Sequence, residues 1–399
     1  MTNPTNPKWV PCKAAAVLGT AGLCFSLQAS AVDESAFQEL ERKYAALAEK
    51  VDRTSDRLQI NGFISAGVAR SDQDVTYAES ELHDDNSFGV RSRVGVQMTF
   101  AVSDNLDAIA QFVGRGDEEW DVETEWAYLR YQANDALQLR LGRQRAPLYL
   151  LSEYLEVGYA YPWVAPPEEV YSVTGDNTYD GFGLLYDFAL GSWDTTFQLF
   201  WGENTQNGVV VAQLDDLISL SLTGVYENWT LRAGYTHVNI SVEDPIDLGG
   251  GFFLPAVEDA DTAFMGVGLI YDNGDWLVMS EVTSLKLDFW LGDPDSMYVM
   301  AGRRFGDWMP HLTWAQVNDV DDDRGELGLP APVLAGVNAM FEEQQKSVTA
   351  GVRYEFLPGA AIKFEVTHLY DLKDGKGLFD SMPDDDSANL VSFVVDAVF

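Results

Sequence analysis

The chain is predicted to be all-β: a transmembrane antiparallel β-barrel of about sixteen strands over residues 58–399, preceded by a short helical coiled-coil segment. Three observations predict it. Beyond Leu58 the chain breaks into runs of alternating apolar and polar residues, joined in turn by very short turns and long polar loops. It is 46% hydrophobic and 12% aromatic, yet no continuous apolar stretch of membrane length follows its first thirty residues. Finally, large aromatic residues stand at strand ends beside the short turns, where a lipid–water boundary favours them.

Residues 1–31 read as an export signal. Lys8 and Lys13 precede an apolar run from Ala14 to Leu27, and Ala29-Ser30-Ala31 supplies small residues for cleavage. That run is shorter than the ~20 residues a spanning helix needs. Both cysteines, Cys12 and Cys24, fall inside it, so the mature chain would hold no thiol. A lipoprotein signal around Cys24 is the competing reading, but Leu23 stands where that signal wants a small residue. Residues 1–31 hold two of the 25 basic residues and none of the 63 acids, so the mature chain carries 23 against 63, a net charge of −40. Such a field excludes nucleic acid as a partner.

Residues 32–57 carry a heptad pattern: Phe37, Leu40, Tyr44, Leu47 and Val51, a polar interruption at Thr54, then Leu58. Glu39 with Lys43 and Glu49 with Arg53 are spaced as i,i+4 pairs. A coiled coil of three heptads is marginal alone and implies a barrel that itself oligomerises; one amphipathic helix packed on something else is the alternative.

Seven short turns are expected at Ser103-Asp104-Asn105, Asn134-Asp135, Gly191-Ser192, Glu227-Asn228, Asn273-Gly274, Gly306-Asp307 and Pro358-Gly359. Eight longer connections are expected near 71–87, 115–121, 146–178, 203–214, 241–260, 286–295, 318–344 and 371–388. Together they join sixteen strands, or eighteen if a long loop, 318–344 above all, hides a hairpin. An even count puts both termini on the short-turn side, the periplasm in bacterial outer-membrane barrels. In the last strand Val391, Phe393, Val395, Ala397 and Phe399 share one face. In 88–100, Val90, Val94, Val96, Met98 and Phe100 interleave with Arg91, Arg93, Gly95, Gln97 and Thr99, with one phase slip. A soluble sandwich also alternates, but it does not explain aromatics at Phe100, Tyr131, Trp193, Trp229, Trp276, Trp308 and Phe356, nor so polar a second face. A water-filled barrel explains both.

The signal, the long loop after the fifth strand and the ending Ser392-Phe393-Val394-Val395-Asp396-Ala397-Val398-Phe399 together resemble the sixteen-stranded Gram-negative porins. The heptad segment resembles the trimeric subgroup with a periplasmic coiled coil, some members of which take dicarboxylates. The resemblance implies that Phe393, Val395 and Phe399 form the signal read by the outer-membrane assembly machinery. It also implies that the loop at 146–178, which follows Leu139-Arg140-Leu141-Gly142-Arg143, folds into the barrel as its constriction. A homotrimer in lipid and lipopolysaccharide, passing small polar solutes with carboxylates among the candidates, is the expected assembly.

A pore selects by its width and by the field across its narrowest point. Alternation points Arg91, Arg93, Arg130, Arg140, Arg232, Arg353 and Lys363 into the lumen, and the long loop supplies Glu153, Glu156, Glu168, Glu169 and Asp176 beside Tyr149, Tyr154, Tyr159, Tyr161 and Trp163. Wall arginines facing loop carboxylates would set a transverse field; the blander reading pairs each arginine with a neighbouring wall acid. The outer loops are acidic, as at Asp72, Asp74, Glu79, Glu81, Asp84 and Asp85, so net charge does not decide the sign of selectivity. Asp319, Asp321 and Asp323 have calcium-loop spacing, but Arg324 and Pro330 replace the Gly and Glu that such a loop needs. No metal site or cofactor is expected. The tripeptide Arg115-Gly116-Asp117 carries no weight.

A barrel hydrolase needs a nucleophile, a base and an orienting group, and His83, His237, His311 and His368 stand in no such motif. A structural barrel with a plugged lumen is the other competing function. Conductance separates it from a channel.

Overall fold

The computed structural model describes residues 57–399 except 79, 176, 208–210, 320–323, 325–326, 342 and 373–374. The signal and the heptad segment lie outside the described residues. Eighteen strands are present: β1 (Leu58–Ser71), β2 (Arg93–Ser103), β3 (Leu106–Arg115), β4 (Val122–Gln132), β5 (Leu137–Arg145), β6 (Thr178–Leu190), β7 (Trp193–Asn207), β8 (Val211–Tyr226), β9 (Trp229–Val242), β10 (Ile246–Gly249), β11 (Phe252–Leu254), β12 (Val257–Asp272), β13 (Trp276–Leu287), β14 (Pro294–Arg303), β15 (Trp308–Asp319), β16 (Gln344–Leu357), β17 (Ala360–Tyr370) and β18 (Ala388–Val398). Sixteen of them close into one antiparallel barrel; β10 and β11 form a separate ribbon. Barrel strands run from 9 residues in β5 to 16 in β8, and about 9–11 tilted residues cross a bilayer.

All seven short turns fall where Asn, Asp, Gly and Pro predicted them. At Asn273-Gly274 the Asn273 side chain accepts the backbone N–H groups of Asp275 and Trp276, and Gly274 takes φ +88. That left-handed angle costs glycine nothing.

Three expectations need correction. The segment 203–214 is not a long loop, because β7 and β8 stay paired as far as Asn207 with Val211. Polar residues continue the ladder there. The hidden hairpin lies in 241–260, turned by Gly249, Gly250 and Gly251, all at positive φ; the 318–344 connection instead carries helix α2 (Ala331–Phe341). Arg91 precedes β2 instead of lying on it.

The barrel closes between β1 and β18, where Gly62 and Phe399 exchange backbone hydrogen bonds of 2.9 Å each way. A Cβ on Gly62 would lie 2.3 Å from the Phe399 ring, so glycine makes room for the terminal aromatic. The outer face is apolar and uncovered: Val267 is 61% exposed and Leu312 57%. Near the short turns it ends in aromatic pairs on neighbouring strands, with ring centres 4.3 Å apart for Trp308–Tyr354, 4.5 Å for Trp229–Tyr271 and 5.5 Å for Trp193–Tyr226. Such a belt suits a headgroup boundary.

The inner face is divided. Over β12–β15 it is covered by the 146–177 connection, whose Leu148, Tyr149, Leu151, Tyr161, Trp163 and Tyr171 pack on Phe264, Leu285, Tyr298 and Met300. Over β2–β9 the inward residues are mainly polar, Gln97, Gln111 and Gln198 among them.

Candidate functional site

The connection between β5 and β6 folds into the barrel and is pinned to its wall from several sides. It contains two short 3-10 turns, Ser152–Tyr154 and Gly158–Ala160, and one helical turn, α1 (Glu168–Tyr171). Wall side chains take up its backbone groups. Glu281 of β13 accepts the Leu150 N–H at 2.6 Å and the Tyr171 hydroxyl at 2.6 Å. Arg353 of β16 donates to the Tyr159 and Tyr161 carbonyls at 2.7 and 3.1 Å, and Lys363 of β17 to those of Gly158 and Trp163 at 2.5 and 2.7 Å. Lys363 also meets Asp396 at 2.8 Å. Arg232 of β9 donates to the Pro147 carbonyl at 2.5 Å, and the Trp163 indole N–H donates to Thr313 at 2.8 Å. A loop inside a barrel must satisfy its backbone on the wall, since water reaches little of it.

The loop acids serve unlike purposes. Glu156 is the centre of a charge cluster, with Arg93 at 3.1 Å, Arg115 at 3.0 Å and Arg145 at 3.1 Å; Glu125 bridges the last two. Burial opposes its charge, but Arg145, Arg93 and Arg115 outweigh that and hold its carboxyl well below the ordinary carboxylate range. Glu168 meets Arg91 at 3.1 Å. Glu169 is buried without an arginine; it accepts from Gln345 at 2.9 Å, and burial pushes its carboxyl up. Glu153 is exposed and accepts from Gln198 at 3.0 Å. Asp176 lies outside the described residues.

The expected opposition of wall arginines and loop acids across open water therefore does not describe Arg91 and Arg93. Their acid partners touch them, so the loop rests on the wall there. Arg353 and Lys363 are likewise occupied with loop carbonyls. Arg130 pairs with Asp107 of the neighbouring strand at 2.9 Å, the blander of the two arrangements. Two guanidiniums remain. Arg140 lies 5.4 Å over the Tyr128 ring and, once the Gln138 amide is turned, donates to its oxygen at 2.8 and 3.0 Å. Arg232 donates to Thr223 at 2.9 Å besides Pro147. Among the described residues neither meets a carboxylate. Gln198 donates to Glu153 at 3.0 Å and accepts from Arg232 at 3.5 Å, so this acid and this guanidinium are neighbours in the lumen.

Sequence reasoning missed Arg115, Arg145, Glu125 and Glu281. The run Arg143-Gln144-Arg145, directly ahead of the loop, was an available signal, and Arg115 stood in the tripeptide set aside. Two of the histidines that stand in no catalytic motif lie beside acids, His237 with Asp261 at 3.0 Å and His311 with Glu365 at 3.5 Å. At the calcium-like spacing, Arg324 is buried and donates to the Trp290 and Leu291 carbonyls at 2.9 and 2.7 Å. It is there for the loop's packing.

A closed sixteen-stranded barrel with an apolar belt outside and a charged, infolded loop inside defines a channel of the outer-membrane type. The family model for Gram-negative porins matches residues 16–377, and the chain belongs to that family. The family places it in the outer membrane as a porin. No curated protein sequence matches. Among solved structures the chain is similar to OmpF of Salmonella typhi in complex with daunomycin, at 13% identity and TM-score 0.57, covering 86% of this chain and 97% of that one. It is similar to OmpT, an outer membrane protein of Vibrio cholerae, at 15% identity and TM-score 0.56, with the same coverage of 86% and 97%. The outer membrane channel DcaP of Acinetobacter baumannii shares 11% identity at TM-score 0.53, again covering 86% and 97%. At these identities the likeness is one of fold.

Proposed function

We propose that the chain is a passive diffusion channel for small hydrophilic solutes that favours anions, small carboxylates among them, at its constriction. The observation that carries this reading is the bookkeeping of lumen charge. Most lumen arginines meet an acid, whereas among the described residues Arg140 meets no carboxylate and Arg232 meets only amide, hydroxyl and loop-carbonyl oxygens. A fixed positive excess at a narrow point raises the local concentration of anions. The acidic outer loops act on approach and are screened within about 8 Å at physiological salt. The proposed working form is a homotrimer in lipid and lipopolysaccharide, since one of the similar Vibrio cholerae structures is a trimer form. A cleaved signal at 1–31, a periplasmic coiled coil at 32–57 and an assembly signal at Phe393, Val395 and Phe399 complete the proposal.

Liposome swelling tests it. Vesicles carrying the refolded protein should admit small carboxylates faster than neutral solutes of equal size, and those faster than matching amines. Equal rates for all three would remove the charge argument, and no entry by any would favour a plugged structural barrel.

A further inference from the structure

Below the constriction loop, on its short-turn side, lies a cavity of about 440 Å³, within the size range of small-molecule sites. Its roof is the loop. Toward the long-loop end the neighbouring wall strands meet that loop. Glu281 holds Leu150 and Tyr171, Thr313 is two positions beyond His311 and holds Trp163, and a Cβ on Gly268 would lie 3.1 Å from the Leu150 side chain. The cavity is therefore blind toward the outside and open toward the short turns. Its apolar lining includes Leu151, Leu277, Met279 and Met309. Its mouth carries the acids Asp272, Asp307 and Glu355 against Arg304 and Arg353.

The accessible charge at that mouth is acidic. Arg304 is spent on Asp272 at 2.6 Å, and Arg353, whose side chain is 13% exposed, donates to loop carbonyls. Among the described residues the Glu355 carboxylate, 43% exposed, accepts the Tyr159 hydroxyl at 2.5 Å, with Arg353 no nearer than 3.8 Å; Asp307 is exposed. We propose that this cavity binds an amphipathic organic cation, its apolar body against Met279 and Met309 and its ammonium at Glu355 and Asp307, entering from the short-turn end. Such a molecule would narrow the permeation path beneath the loop and reduce current from that side only.

Hexyltrimethylammonium is the probe, applied to channels inserted in one orientation. It should block current from the short-turn side and not from the other, while tetramethylammonium, which lacks the body, and hexanoate, which reverses the head, should not block there. The E355Q/D307N double variant should weaken the block about fivefold for each charge removed, as for unit charges 4 Å apart in water, and M279S should weaken it too. Equal block from both sides, equal block by hexanoate, or block undiminished in the double variant overturns the proposal. Calorimetric titration of the folded barrel reads the same pocket without current, so failure of the diffusion reading is told apart from failure of this one.

Discussion

Glu156 shows how a single carboxylate fixes the loop. Its folded-state acidity lies below the ordinary value of 4.5 because three guanidiniums outweigh burial. Its stabilising contribution is therefore fully present above pH 4.5 and is lost as pH falls through the lower folded value. Glu156→Gln takes from Arg93 the acid it meets and leaves Arg145 and Arg115 to Glu125 and its neighbours, and breaking a buried pair from one side costs about 3–5 kcal/mol. The expected outcome is a lower thermal midpoint at pH 7 and a gap from the parent protein that shrinks progressively below pH 4.5; a gap independent of pH would contradict the assignment. Glu169 has the opposite sign. Burial raises it, so its cost grows as pH rises past 4.5, and Glu169→Gln should be neutral or stabilising at pH 7. For selectivity the decisive residue is Arg140. A unit charge acting at ~8 Å contributes about 0.5 kcal/mol in water and about 2 at an effective dielectric of 20. Arg140→Gln should thus lower the anion-to-cation permeability ratio roughly two- to thirtyfold, read from the reversal potential in a salt gradient.

At the scale of elements, the loop at 146–177 behaves as a part seated by the wall. Gly158 is where it comes closest: a Cβ there would lie 2.5 Å from Asp396 Oδ1 and 2.9 Å from Ser65 Oγ, two groups already hydrogen-bonded to each other at 2.6 Å. Gly158→Ala forces a shift, and overpacking of this kind costs typically about 1–3 kcal/mol. Noisier open-channel current and larger conductance are expected; unchanged traces would show the loop is held elsewhere. Strand number, the seven tight turns and the loop's place were legible because Asn-Gly or Pro-Gly turn chemistry and period-two alternation are local signals. Partners were not legible, since Arg93 and Glu156 meet only after 63 residues of chain have folded. Alternation fixed which way Arg140 and Arg232 point, but whether a guanidinium is neutralised depends on the path of the loop. Arg115 and Arg145 sit at strand ends, where alternation gives no phase. The stretch Glu203-Asn204-Thr205-Gln206-Asn207 reads as loop because it is polar, yet polar residues extend a ladder once the strand has left the lipid.

For the whole molecule, the formal charge of −38 and the charge of the lumen are separate quantities. Acids concentrate in the outer loops and turns, and cations on the inner wall, where the loop consumes most of them. The barrel seam completes this architecture through Gly62 and Phe399. Deleting Phe399 should lower the fraction of barrel assembled in the outer membrane, while Val398→Ala, which leaves both seam hydrogen bonds possible, should do so far less. The account's central claim is a water-filled lumen whose narrowest point carries excess positive charge. Its most direct test is single-channel recording of the refolded protein across a potassium chloride gradient. The account predicts discrete conductance steps, grouped in threes for a trimer, with a reversal potential on the chloride side of zero. A reversal potential on the potassium side would contradict the charge assignment, and folded protein without conductance would contradict the channel itself.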